Sequence, residues 1–403
     1  MRISKIIIVG AGPSGLLLAL LLAKQGVQVE LLEAAPELDT SPRATHYSWP
    51  AVYELIRAGI IDKVRERGFV ITEGITWRKL DGTEIAKFNI DGIPYEQRMH
   101  CLPLGRLCGV LQEALTELPN AKISYSHRVL EIENLSEKAK LLVETPSGQK
   151  SMEADYVVGC DGANSQIRRA LFGNDFPGFT WDEQIVATNV YYDLAKHGWS
   201  TGGFLVDPEH WSMATPIQPD GLLRVTYGEK PGLSHEEYKA RQPDKFRIIL
   251  PGHPSPGDYK LVNFSPYKIH QRCAEKFRVG RFLLAADAAH LCNPFGGLGL
   301  TGGIVDVGNL YDCLIGIHRG LADESILDRY SEVRREKYLT FTDPISRSNI
   351  KRLMLDPDVA IRDDDFFQMA PKLQDPVFAA KVSEGINGIM YDFTTEYRKT
   401  AVS

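Results

Sequence analysis

The chain has few of the features that announce a special class. Its six cysteines never form CxxC, and a chain of 403 residues does not depend on disulfide staples. Buried small thiols and a reducing, cytoplasmic setting follow. There is no basic excess either. Lys plus Arg number 46 against 52 Asp plus Glu, a net charge of −6, which removes nucleic acid as a default partner. No uninterrupted apolar run reaches the roughly 18 residues of a membrane span. The apolar N-terminal stretch is broken by Gly10, Gly12, Pro13 and Gly15, so it reads as folded strand and helix rather than as a secretory signal. HxH and HExxH are absent and no metal site is indicated; Gly-x-Ser-x-Gly is absent too, which leaves no nucleophile elbow.

What remains is a well-provisioned globular chain, 43% hydrophobic and 24% charged, with α/β patterning. Ile6 to Val9 form a β-branched run suited to a buried strand, which ends in Gly10-Ala11-Gly12-Pro13-Ser14-Gly15. A helix through Leu16 to Lys24 and a second strand, Val27 to Leu32, complete a βαβ unit closed by Glu33 and Ala34. In that context Gly10 permits the tight turn, Gly12 lets a pyrophosphate approach the backbone, and Gly15 lets helix and strand pack closely. Glu33 is placed to accept both ribose hydroxyls of an adenosine. An adenine dinucleotide is therefore expected, and the motif alone leaves FAD and NAD both open.

Two later segments repeat the theme of a strand emptying into a ligand-binding turn. Tyr156 to Gly159 runs into Cys160-Asp161-Gly162, where Asp161 is either a ligand for the nucleotide or part of a capped reverse turn before a helix. Phe277 to Ala286 runs into Asp287, then Leu291-Cys292-Asn293-Pro294-Phe295-Gly296-Gly297-Leu298-Gly299-Leu300, then a long helix from Thr301 to about Ile317. The carboxylate of Asp287 can bind a polyol hydroxyl, and a glycine-rich helix start favours developing negative charge.

Taken together, GAGPSG with Glu33, DG at 161 and 162, and GRFLLAADAAHLCNPFGGLGL at 280–300 resemble the flavoprotein monooxygenases of the para-hydroxybenzoate hydroxylase type. The resemblance implies FAD as cofactor, NADH or NADPH as co-substrate, and hydroxylation of an aromatic, phenolic small molecule by O2 through a flavin C4a-hydroperoxide. It places the FAD pyrophosphate at Gly10, Gly12, Pro13, Ser14 and Gly15, and the adenosine ribose at Glu33. Arg43 and Arg106 look like the family's arginines on the FAD chain. Asp161 belongs to a motif shared between FAD and NAD(P)H, Asp287 to the ribityl chain, and Pro294, Gly297, Leu298, Gly299 and Leu300 to the surroundings of the isoalloxazine. The chain departs from the pattern at Ala286, where a glycine is usual, at Cys160, at Asn293 and at Thr301-Gly302-Gly303.

The implied architecture is a Rossmann-like FAD-binding domain (1–66, 101–175 and 277–330), a discontinuous mixed β-sheet substrate domain (67–100 and 176–276), and a C-terminal helical segment (331–403). The middle region alternates through short strands, with Phe246 to Leu250 intervening. Its aromatic residues suit an apolar or aromatic substrate. A base for a phenol would be His or Tyr, and the candidates are His46, Tyr47, Tyr191 and Tyr227, with His290 ordering the flavin loop. The same chemistry could serve epoxidation, oxidative decarboxylation or N-hydroxylation; a flavin-dependent reductase of a lipid-like substrate is the alternative class. A monomer or homodimer is expected.

Overall fold

A computed structural model describes residues 3–41, 43–199 and 202–397. Its first sheet is built from the motifs. Lys5–Val9 lies at the centre, parallel to Gln28–Leu32 on one side and to Tyr156–Gly159 on the other. Ala121–Ser124 extends one edge, and Phe282–Leu284 with Arg278–Val279 the other. Strands buried on both faces carry unbroken apolar runs, as Ile6, Ile7 and Ile8 do here with no exposed surface. The helix Pro13–Ala23 follows at once, and its residues Leu16 to Leu20 are fully buried. A three-stranded antiparallel sheet, Arg128–Asn134, Ala139–Thr145 and Gly148–Ala154, flanks this layer.

The second large sheet has eight strands, among them Lys260–Cys273, Gly178–Tyr191, Leu222–Glu229 and Ser212–Pro216 in adjacent positions, with Thr76–Arg78 and Glu84–Lys87 at the far edge. The middle region also holds an element that the alternation hides. Phe246 to Ile249 belong to the helix His235–Ile249, not to a strand. Its N-terminus is a capping box, in which the Ser234 hydroxyl accepts from Glu237 N and the Glu237 carboxylate accepts from Ser234 N.

The glycine-rich helix runs from Leu298 to His318. By length and mean hydropathy (1.2) it meets the description of a membrane span, but 89% of that stretch is buried inside the protein. It is a core helix, and it carries Asp306, Asn309 and Asp312 on buried positions. After it come Ile326–Lys337, Asp343–Leu353 and a series of shorter helices that close one end of the cavity described next.

Candidate active site

One cavity of about 1780 Å³ runs from the first glycine turn to the face of the eight-stranded sheet. At its nucleotide end Gly10 has φ +105°, and a side chain there would strike the carbonyl of Cys160. Gly12 has nothing within 4 Å of where a Cβ would lie, so the start of the helix Pro13–Ala23 is open to a phosphate. Pro13 and Ser14 line the same stretch, whereas Gly15 lies behind it, packed on the Gly10 carbonyl. Glu33 accepts from Ala11 N and Ala35 N, both at 2.8 Å, which fixes the carboxylate at the cavity wall beside Ala34.

Asp161 caps a helix and also lines the cavity. Its Oδ2 accepts from Gln166 N (2.7 Å) and Ile167 N (3.2 Å), capping the helix Gln166–Phe172. Its Oδ1 is buried without a partner among the described residues. Burial raises the pKa of this carboxyl, against the hydrogen bonds from Ser165 and the helix amides. Arg43 reaches the cavity rim but is turned outward, paired with Asp39 at 2.8 Å. Arg106 is exposed on the helix Leu104–Thr116 and does not line the cavity.

Asp287 is exposed to the open cavity, and desolvation by the protein around it raises its pKa against the pull of His290 and Arg43. Pro294, Gly297, Gly299 and Leu300 line the wall next to it; Leu298 is 1% exposed and points into the core. The strand-to-turn corner is held from beneath by Asp306. Its Oδ2 accepts from Ala286 N (3.0 Å) and lies 2.7 Å from His290 Nε2, and its Oδ1 accepts from Arg334 Nε at 2.7 Å. His290 therefore orders the loop, as its place in the motif suggests. Asp306 and Arg334 had no motif to mark them.

Ala286 adopts φ +57°, a conformation that costs an L-residue about 1–2 kcal/mol. Its methyl fits only because Gly303 faces it: a Cβ on Gly303 would lie 2.7 Å from that of Ala286. The departure at 286 is thus paired with a glycine in the departure at 301–303. We expect Gly303→Ala to lower the denaturation midpoint, and Ala286→Gly in the same chain to restore most of it, a coupling of about 0.5–3 kcal/mol. Equal losses from Gly303→Ala in both backgrounds would show that the two sites do not compensate.

The opposite wall is the eight-stranded sheet, where alternation decides which side chains reach the cavity. On Leu222–Glu229, Arg224 and Thr226 face it, while Leu223, Val225 and Tyr227 pack in a separate core with Phe246. Tyr227 is fully buried there, its hydroxyl without a partner among the described residues, and burial raises its pKa strongly. Tyr191 sits at the far end of its strand, bonded to exposed Asp220 at 2.9 Å. Neither tyrosine lines the cavity, so the structure removes both from the candidate base set. Tyr47 is buried and donates to the Leu102 carbonyl at 2.8 Å.

His46 does line the cavity, on a two-residue strand rather than in a loop. Its ring nitrogens lie 2.8 Å from Thr45 Oγ1 and 3.3 Å from Thr215 Oγ1. Burial, and then the charge of Arg224, depress its pKa to about 4. The imidazole is neutral at neutral pH and a weak proton acceptor, suited to hydrogen bonding more than to deprotonating a phenol. The polar residues that the sequence did not single out stand beside it. Thr215, Arg224, Asn189 and Asn263 are successive cross-strand partners, and Arg224 Nε donates to Asn189 Oδ1 at 2.9 Å. Two residues along, Met213, Thr226, Ala187 and Ser265 form the next row. Tyr267, also on the wall, is the cavity's tyrosine in place of Tyr191 and Tyr227.

Residues 4–342 match a family described as an FAD binding domain. The chain is 40% identical over 369 residues to para-nitrophenol 4-monooxygenase of Pseudomonas sp. (strain WBC-3), covering 91% of each. The chain belongs to the FAD-binding aromatic hydroxylases. This hydroxylase is also 36% identical to 6-hydroxy-3-succinoylpyridine 3-monooxygenase HspB of Pseudomonas putida (strain DSM 28022 / S16), covering 87% of this chain and 88% of that one. The crystal structure of p-nitrophenol 4-monooxygenase PnpA from Pseudomonas putida DLL-E4 superposes with a TM-score of 0.90 at 37% identity, over 96% and 99% of the two chains. The hydroxylase is a flavoprotein monooxygenase of aromatic substrates, and its residues fit FAD: the helix start at Gly12 is open, and the carboxylates of Glu33 and Asp287 line the same cavity.

Proposed function

We propose that this hydroxylase acts on a small phenol or hydroxypyridine whose ring also carries an oxygen-rich, electron-withdrawing or anionic substituent. The observation that carries this is the polar row Thr215, Arg224, Asn189 and Asn263, with neutral His46 at its end, set in the cavity wall next to a less polar row. Arg224 lines the cavity with its Nε held by Asn189, which sets the side chain in the wall as a cation beside Thr215 and His46. A guanidinium in such a place favours a planar two-oxygen group. The two relatives act, by their names, on a nitrophenol and a succinoyl hydroxypyridine, both of this chemistry.

Held at the open helix start by Gly12 and at the cavity wall by Glu33 and Asp287, FAD would supply hydride acceptance from NADH or NADPH and activation of O2 for transfer to the ring. The chain's own part is to hold the substrate in the space between the sheet and the loop at 291–300, with His46 and Arg224 fixing the orientation of its polar groups. Asp287 and Glu33 anchor the polyol and ribose hydroxyls. The six cysteines, five of them buried and none paired, fit a reducing compartment such as the cytoplasm.

Arg224→Met tests the reading. We expect the Kd for nitrophenols and carboxylated phenols, followed by perturbation of the flavin spectrum, to rise about 10-fold or more, as for loss of a hydrogen bond to a charged group. Unsubstituted phenol should be affected little. An equal loss for both ligand classes would assign Arg224 to the fold and not to the substrate.

A further inference from the structure

The loop that carries Pro294 and Gly297 is pinned by two side chains that lie outside every glycine motif. Gln271, 2% exposed on the strand Lys260–Cys273, accepts at Oε1 from the Asn293 amide (3.1 Å) and from Trp181 Nε1 (3.3 Å). Its Nε2 donates to Ser346 Oγ at 2.7 Å and to the Asp343 carbonyl at 3.4 Å. Asn349 comes from the other side. It stands three residues after Ser346 on the helix Asp343–Leu353, hence on the same face. Its Nδ2 donates to the Phe295 carbonyl at 3.3 Å, and its Oδ1 accepts from Arg352 Nη1 at 3.0 Å. Within the loop, Asn293 Oδ1 accepts from Phe295 N at 3.0 Å.

Three peptide groups are thereby fixed: Asn293 N–H, Phe295 N–H and Phe295 C=O. The chain then turns through Gly296 (φ +105°) and Gly297 (φ +66°) into the long helix. The direction of the helix's first amides follows from the peptides just before that turn. Neither grip belongs to the nucleotide fingerprint, and Asn349 and Ser346 lie beyond residue 342, where the family match stops.

We infer that Gln271 and Asn349 are positioning residues for the flavin, setting the 291–297 loop against the substrate sheet from the sheet side and from the C-terminal helix respectively. Gln271 is the joint between the two walls, because the strand that carries it also presents Asn263, Ser265 and Tyr267 to the cavity. The inference rests on the hydroxylase reading in one respect, the fate of oxygen. In the coupled reaction NAD(P)H, H⁺, O2 and the arene give NAD(P)⁺, the hydroxylated arene and water. In the uncoupled one NAD(P)H, H⁺ and O2 give NAD(P)⁺ and hydrogen peroxide. Misplacement of reacting groups by about 1 Å is enough to cost roughly 100-fold in a productive step, so a loosened loop diverts turnover to the second.

The test uses the full-length FAD-loaded protein with Gln271→Met and Asn349→Ala. Amide hydrogen exchange, the visible flavin band, FAD affinity, and product formed per NAD(P)H consumed are measured side by side. We expect FAD affinity within about threefold of the parent, faster exchange confined to 291–300, a shifted flavin band, and product per NAD(P)H reduced at least about twofold with peroxide making up the balance. An FAD-bound variant with parental exchange, band and coupling would overturn the inference. Should Gln271→Met fail to fold, Asn349→Ala, at a half-buried position, carries the test by the same criteria. If the parent hydroxylates none of the phenols offered, the proposed substrate class fails, while exchange and the flavin band still judge the positioning role.

Discussion

Replacing Asp287 by alanine lowers the affinity for FAD about 10- to 100-fold, the range expected when a hydrogen bond to a charged group, worth roughly 1.5–3 kcal/mol, is removed. The carboxylate lies in the turn just after a buried strand, Phe282–Leu284, and lines the cavity of about 1780 Å³ that also reaches Gly12 and Glu33. Its pKa is raised because burial outweighs the attraction of His290 and Arg43. A carboxylate set in the cavity wall, its charge already disfavoured by the protein around it, gains from hydroxyl donors delivered by a ligand, which is the reason to expect a large effect at this position. Asp287→Asn keeps an acceptor oxygen without the charge and should fall between the parent and the alanine variant. The check is titration of apoprotein with FAD, followed by flavin fluorescence. Unchanged affinity in Asp287→Ala would detach the 280–300 motif from the flavin.

The parts of this site that were legible in the sequence are those whose geometry is local. Gly10, Gly12, Glu33, Asp161 and Asp287 each sit at a strand end, where the backbone itself determines where a neighbouring side chain can go, and all of them line the cavity. The substrate wall was not legible to the same degree. Arg224 and Tyr227 are three residues apart on one strand, so alternation places them on opposite faces, but only the long-range pairing with Asn189 and Thr215 says which face meets the cavity. Aromatic content drew the expectation to Tyr227, while the side chains of that strand that line the cavity are Arg224 and Thr226. The helix His235–Ile249 carried a readable sign in Ser234 and Glu237, spaced as a capping box, but Pro243 within it masks the pattern. Arg106 illustrates the converse: its spacing from the apolar stripe of its helix correctly turns it away from the core, and the face on which it lands is solvent.

Arg334→Met is expected to destabilise the protein by about 3–5 kcal/mol, the cost of removing one partner from a buried ion pair. Arg334 is 2% exposed and Asp306 has no exposed surface. The arginine also donates to the Asn309 side chain at 3.3 Å and the Ile389 carbonyl at 2.6 Å, tying the long helix to the C-terminal segment. Asp306 keeps a low pKa in spite of its burial because His290 and Arg334 stabilise its charge. Without the guanidinium, that charge is left with His290 and the amide of Ala286 alone. The damage therefore reaches the flavin site: the amide that Asp306 holds is one residue from Asp287, so FAD content after purification should fall together with the unfolding midpoint. Asp306→Asn added to Arg334→Met removes the stranded charge while keeping an acceptor for Ala286 N, and should recover part of the loss. Denaturant unfolding of the three variants decides the matter. A double variant less stable than Arg334→Met alone would mean that the cost lies in lost packing around Arg334, and that Asp306 acts on the Asp287 corner without needing its charge balanced.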